Sequence, residues 1–283
     1  MRWLPGRNSP DLEDRRGQSG GRFGFTGGRM GLGGLVVLLI LSVVFKQNFF
    51  SLVGIGGDAE PAPAGPVQST PEEEKLKQFI GFVLDDAQAT WDQQLPQQAG
   101  TAYQHAHLVL FRDAIESACG FAESASGPFY CPGDHKVYID LGFFQELADR
   151  FGAPGDFAQA YVLAHEIGHH VQWLLGTEAK LRQLQGNHPD QANELSVRFE
   201  LQADCYAGVW GSSAAQGGKL DPGDTEEGLN AAAAVGDDRI QRSTTGRVSP
   251  EVFTHGSAQQ RSQWFRQGLS SGRISACDTF GSP

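Results

Sequence analysis

Two histidines four residues apart, His165 and His169, with Glu166 directly after the first, are the side chains best placed to hold and use a metal ion. On a helix, positions i and i+4 lie on one face. Both imidazoles can then reach a single cation, and Glu166 sits beside that face, near the ion's open side. From there its carboxylate could act as general base, taking a proton from a water that the ion activates. The pattern H-E-x-x-H carries this meaning only where it falls on a helix. The neighbours favour a buried one: Tyr161 to Ala164 precede it, and Val171, Trp173, Leu174 and Leu175 follow. Gly168 costs about 1 kcal/mol against alanine inside a helix, which implies that another backbone or a ligand comes close there. His170 lies about 100° around the helix from His169 and reads as a packing residue, not a ligand.

A tetrahedral catalytic zinc takes three protein ligands and leaves one position open. A third histidine six residues on would need glycine and histidine where the chain has Gln172 and Leu175, so that solution is excluded. A carboxylate on a second helix is the other solution. Glu200 and Asp204, in Phe199 to Gly208, are four apart and share a face among small and apolar neighbours. A carboxylate there is costly to bury without a charged partner, and a metal supplies one. Glu200 is then the third ligand, and Asp204 accepts the free ring N–H of a ligand histidine. The alternative is a pair of solvated acids. Glu194 competes with Glu200, but Arg198, four residues on, can pair with it on the helix surface.

The runs HEIGHH and ELQADCYAG together resemble the bacterial membrane-anchored neutral zinc metallopeptidase family. More broadly they are similar to zincins with H-E-x-x-H and a later E-x-x-x-D. The resemblance extends along most of the chain, through Glu13 to Gly17, Gly127 to Pro132, Lys136 to Asp140 and Phe253 to Arg261. It implies an α+β, zincin-like domain, mostly helical with a small antiparallel or mixed sheet, preceded by one transmembrane helix. It also implies one zinc ion and a peptide or protein substrate. It speaks to fold and metal more than to substrate.

The elements that position these groups can be read in outline. Leu76, Phe79, Ile80, Val83 and Leu84 recur at helical spacing from about Glu72. Tyr103 to Arg112 contains a strand with His105 and His107 on one face; a second metal site is one reading, but with no nearby acid both read as surface groups. Lys136 to Asp140 reads as a strand, and the resemblance to zincins implies that it is a sheet edge, to which a substrate peptide could add. Phe143 to Phe151 is a short helix. Asp156 reads as the N-cap of the metal helix, placed at about 157–175. The Glu200 helix is placed at about 190–213. Phe253 to Ser257 precede a helix holding Trp264 and Phe265. The resemblance to zincins implies a donor to the developing oxyanion, a role His255 could fill, oriented by Asp237 or Asp238; the other reading is a histidine in a capping turn.

Four cysteines allow three pairings. Cys119–Cys131 would close a local loop, and Cys205–Cys277 would tie the tail to the Glu200 helix. Disulfides fit the outer side of a membrane.

The net charge is −11 and uneven: residues 1–46 carry seven Lys/Arg and three acids, a net +4, which leaves −15 for the rest. An acidic remainder argues against nucleic acid. Residues 1–29 read as a disordered basic tail. Residues 30–50 read as a transmembrane helix, since Met30 to Phe45 carry no charge and Phe49 and Phe50 extend the run. Residues 51–71 form a Gly/Pro/Ala linker, and 72–283 the zinc metallopeptidase domain. The positive-inside rule puts the N-terminus in the cytoplasm and the catalytic domain outside the bacterial inner membrane. Two other readings stay open: a non-catalytic, zinc-containing, membrane-tethered binding or scaffold module, and a zinc amidase acting on a non-protein amide.

Overall fold

The structure, a computed structural model, describes residues 1–6, 8–17, 67–124 and 127–281. The sheet begins close to the N-terminus. β1 (Leu12–Asp14) runs parallel to β2 (His107–Phe111), with Leu12 opposite Leu108 and Asp14 opposite Leu110. In sequence, α1 (Pro71–Ala99) lies between the two strands. A capping box fixes its start: the Thr70 hydroxyl accepts from the Glu73 N–H, and the Glu73 carboxylate accepts from the Thr70 N–H. Its buried face includes Phe79, Ile80, Val83, Leu84 and Trp91, the stripe expected from the spacing.

After β2, a two-stranded hairpin of β3 (Ala114–Ser117) and β4 (Gly120–Glu123) leaves the sheet. The chain returns through β5 (Phe129–Cys131) and β6 (Lys136–Asp140). The strand order is β1-β2-β6-β5, with β6 parallel to β2 and antiparallel to β5. The expectation that Lys136 to Asp140 form an edge is therefore corrected. That strand has a neighbour on each side, so Val137, Tyr138 and Ile139 are all buried. The edge strand at this end is β5, and the Cys119–Cys131 disulfide ties it to the hairpin.

The rest is helical: α2 (Gly142–Asp149), α3 (Asp156–Leu174), α4 (Thr177–Asn187), α5 (Ala192–Gln216), α6 (Asp224–Ala234), α7 (Asp237–Thr245) and α8 (Ala258–Ser271). α3 is enclosed on most sides, which matches its lack of a polar face. Gly168 meets α5 as its helical cost implied: a Cβ there would stand 2.8 Å from the Ala203 carbonyl oxygen. α5 and α8 touch backbone to backbone, since a Cβ on Gly268 would overlap the Cys205 carbonyl. The Cys205–Cys277 disulfide then joins the segment after α8 to α5. Asp156 does not cap α3. Gly155 holds that position, and Asp156 accepts instead from the Met1 ammonium at 2.8 Å.

The N-terminal segment needs a second correction. Within the expected disordered tail at residues 1–29, residues 8–17 carry β1 and a set of ion pairs. Glu13 pairs with Lys136 at 2.5 Å and with Arg15. Asp14 pairs with Arg16 at 2.7 Å and with Lys77 at 2.8 Å. Arg16 and Lys77 hold the Asp14 carboxyl far below the usual carboxylate range, against the opposing effect of burial. A charge run that looks solvated in sequence is here neutralised by partners from α1 and β6.

Residues 18–29, the expected span at 30–50 and linker residues 51–66 lie outside the described residues. Among the described residues, no helix is long and apolar enough to cross a membrane. The two flanks of that segment sit on one body, since Arg16 and Ser69 both donate to Glu74. A single crossing between residues 17 and 67 would part β1 from β2.

Candidate metal centre

α3 presents His165 and His169 on one face, with ring centroids 4.8 Å apart and ring planes at 87°. α5 brings Glu200 to them. Its Oε2 lies 3.2 Å from His165 Nε2 and 3.6 Å from His169 Nε2. A tetrahedral zinc with bonds of 2.0–2.1 Å sets its ligand atoms about 3.3 Å apart. The two carboxylate-to-imidazole separations bracket that value and all three atoms lie within 4.8 Å of one another, so the set fits zinc in number and donor type.

Each Nε2 is free to serve because each Nδ1 is engaged elsewhere. Asp204, one turn after Glu200 and fully buried, meets His165 Nδ1 at 2.8 Å. It also accepts from the Tyr161 hydroxyl, and from Arg261 Nε and Nη2 at 2.9 Å each. Burial alone would raise the Asp204 carboxyl, but the Arg261 and His165 charges outweigh it and hold it low. Burial alone would lower His165, but Asp204 and then Glu200 outweigh it and hold the imidazole up at about 9. Glu200 is likewise held well below its usual range, the two histidines overcoming burial. The second ligand histidine places Nδ1 2.8 Å from the Gln172 side-chain oxygen, and its ring stacks on Phe199 at 5.1 Å.

Arg261 and Gln172 were missed as contributors. Arg261 had one visible signal: it is four residues before Phe265 and seven before Gly268, and those three are the buried positions of α8. An arginine on a core stripe demands a buried acid. Gln172 had none beyond its place three residues after His169.

Glu166 is 7% exposed and lines the same cavity as the three ligands. The cavity, about 710 Å³, is walled by Phe129 and Tyr130 of β5, by Phe143 and Phe151, and by Val162 and Phe199. His255 lies on its lining too, with an exposed side chain. Its Nδ1 is 3.3 Å from Asp237 Oδ1, and Asp237 Oδ2 accepts the backbone N–H groups of Thr254, His255 and Gly256. Asp237 is thus the partner of His255, and Asp238 accepts instead from the Ala258 N–H at the start of α8. The Asp237 hydrogen bond raises His255 above its ordinary value, with burial opposing and Glu200 assisting.

The remaining groups fall outside the centre. Glu194 pairs with Arg198 at 2.7 Å on the helix surface, as expected. His170 is buried between Tyr103, Tyr130 and Trp173 and donates to the Gln104 carbonyl at 2.6 Å, so it packs rather than ligates. His105 and His107 are exposed, but the premise that no acid is near them is corrected. Asp11 and Asp92 flank His105 at 2.7 and 3.1 Å, brought there by the N-terminal segment and α1. Both cysteine pairs, Cys119–Cys131 and Cys205–Cys277, are disulfide-bonded as read from the sequence.

The family described as "Putative neutral zinc metallopeptidase" matches residues 1–280. The "Uncharacterized protein YpfJ" of Escherichia coli (strain K12) is 48% identical over 289 residues, covering 99% of each chain. The "Uncharacterized protein Rv2575" of Mycobacterium tuberculosis is 47% identical over 204 residues, covering 68% of this chain and 66% of its own. No solved structure matches the chain.

Proposed function

The chain belongs to the neutral zinc metallopeptidase family, and from that premise we propose that it hydrolyses peptide bonds at the centre formed by His165, His169 and Glu200. The observation that carries this reading is the convergence of three ligand atoms beside Glu166, in a cavity bounded by the edge strand β5. Zinc held there would polarise a carbonyl oxygen and bring the acidity of water close to neutral pH. Glu166 takes the proton of the attacking water and returns it to the leaving nitrogen. Asp204, clamped by Arg261, holds the His165 ring. His255 donates to the carbonyl oxygen as negative charge develops, with Asp237 orienting it. An extended peptide adds to β5, and the aromatic walls of the cavity take a large apolar side chain. Three protein ligands leave a fourth position open, which speaks against a purely structural scaffold. Among the described residues β5 is the outer strand at that end of the sheet, which favours a peptide over a non-protein amide.

The same reading places the body on the oxidising side of the bacterial inner membrane, where two disulfides persist. Attachment would run through residues 30–50, with both flanks on that side.

The test uses the full chain, because residues 8–17 belong to the folded body. Zinc stoichiometry and cleavage of a peptide pool are measured for the parent and for Glu166→Gln. The expected result is one zinc in both and a fall in cleavage of about 10²–10⁴-fold in the variant. A folded parent without zinc would end the proposal. His255→Ala should keep its zinc and lose about 10²–10³-fold in kcat. Unchanged turnover would return His255 to the capping-turn reading.

A further inference from the structure

The two ligand histidines are held by different chemistry. His165 leans on charge, through Asp204 and Arg261. His169 leans on neutral amides, and their direction can be worked out from groups that have no choice. A backbone carbonyl only accepts. The Phe199 carbonyl lies 2.7 Å from Gln172 Nε2, and the Cys277 carbonyl lies 3.0 Å from Gln202 Nε2. Those contacts settle which end of each amide is nitrogen, a choice otherwise open to flipping. Gln202 must then turn its oxygen to Gln172 Nε2, at 3.1 Å. Gln172 has both N–H groups spent, on Phe199 and Gln202, and only its oxygen is left for His169. At 2.8 Å that oxygen requires a proton on His169 Nδ1.

We propose that Gln172 and Gln202 are positioning residues that fix His169 as its Nδ1–H tautomer and aim its Nε2 lone pair at the metal. The proposal rests on the zinc reading for its purpose but not for its geometry. Gln172 is fully buried and Gln202 is 6% exposed, so neither is a surface amide with water as an alternative partner. The end of the relay is held firmly, because Cys277 is disulfide-bonded to Cys205 on the same helix as Gln202. An amide also suits the site better than a second acid. Glu166, Glu200 and Asp204 already gather three carboxyl groups around the two imidazoles. Another beside His169 would add like charge, whereas glutamine supplies an acceptor without it.

The decisive measurement is the tautomer of His169 in the full-length, metal-free protein, read from ¹⁵N-imidazole NMR at alkaline pH. The parent should carry the proton on Nδ1. Gln172→Met should lose that preference, and Gln202→Met should weaken it. Zinc affinity, measured by chelator competition, should fall about 10–100-fold for Gln172→Met and less for Gln202→Met. Gln88→Met is the control, since Gln88 is also a buried amide, bonded to the Ala106 carbonyl away from the ligands. It should leave both readouts unchanged. A parent with the proton on Nε2, or variants with parental tautomer and affinity, would overturn the proposal. If Gln172→Met does not fold, the parent and Gln202→Met still decide. Because the tautomer is read without metal, a protein that bound no zinc would sink the peptidase reading while leaving this question answerable.

Discussion

The metal centre and the β1 edge both gather charged side chains, but the centre takes its ligands from two helices while β1 draws its partners from a helix and a distant strand. His165 and Glu200 are 35 residues apart on those two helices, and Arg261 reaches Asp204 from a third helix across 57. At β1, Arg16 reaches Glu74 across 58 residues and Lys136 reaches Glu13 across 123. Their surroundings differ as well. Asp204 and Arg261 are buried and satisfy each other, so each depends on the other to be tolerable there. Most partners at β1 keep one side in water, where an ion pair contributes only about 0–1 kcal/mol. The centre is therefore stiff and specific, while β1 is held by several weak pairs and a short ladder.

The comparison can be broken first at Asp204. Asp204→Ala would leave the Arg261 guanidinium buried without its acid, a change that costs about 3–5 kcal/mol. It would also release His165 Nδ1 and lower zinc affinity by about 10–100-fold. Chemical denaturation and chelator competition should move together. A variant within about 1 kcal/mol of the parent would mean that Arg261 finds another partner, and that the clamp is not what stiffens the centre.

Arg16 offers the matched change at β1. Its side chain is almost fully buried against Asp14 and Glu74, while Lys77 stays beside Asp14 when Arg16 is removed. Arg16→Ala should therefore cost less than the Asp204 change, about 1–3 kcal/mol. Zinc affinity and cleavage should be unaffected. A parallel loss of zinc would show that the sheet edge and the centre are coupled, and the contrast drawn between them would fail.

What could be read in advance follows the same divide. His165, Glu166 and His169 were legible because one helix period brings them together, and Glu200 with Asp204 because a second period repeats the logic. The stripe of α1 and the cysteine pairs were legible for similar reasons. β1 was not, because three strand residues flanked by charges carry no periodic signal, and their parallel partner lies far down the chain. The role of β6 was misjudged because an inner strand and an edge strand of five residues look alike until their neighbours are known. Arg261 and Gln172 act on the metal only through other side chains, so no ligand spacing marks them.

The smallest effect sharpens the account of β1 without disturbing it. His105 bridges Asp11 and Asp92, with His107 Nδ1 3.9 Å from the other Asp11 oxygen and Gln88 donating to Asp11. Burial lowers the His105 value, but hydrogen bonds to the two carboxylates outweigh it, so the folded protein holds the proton more tightly than the unfolded chain. The stabilisation is then complete below the ordinary imidazole value near 6.5 and is lost as pH rises through the raised value. Because the ring is 44% exposed, the contribution should stay below about 1 kcal/mol. Hydrogen exchange can read it at the ladder amides of Leu108 and Arg15, which bond to Asp11 and Leu110. After correction for intrinsic rates, their protection should decline from mildly acid to alkaline pH in the parent and stay flat in His105→Ala. An unchanged pH profile in the variant would leave His105 a surface bystander.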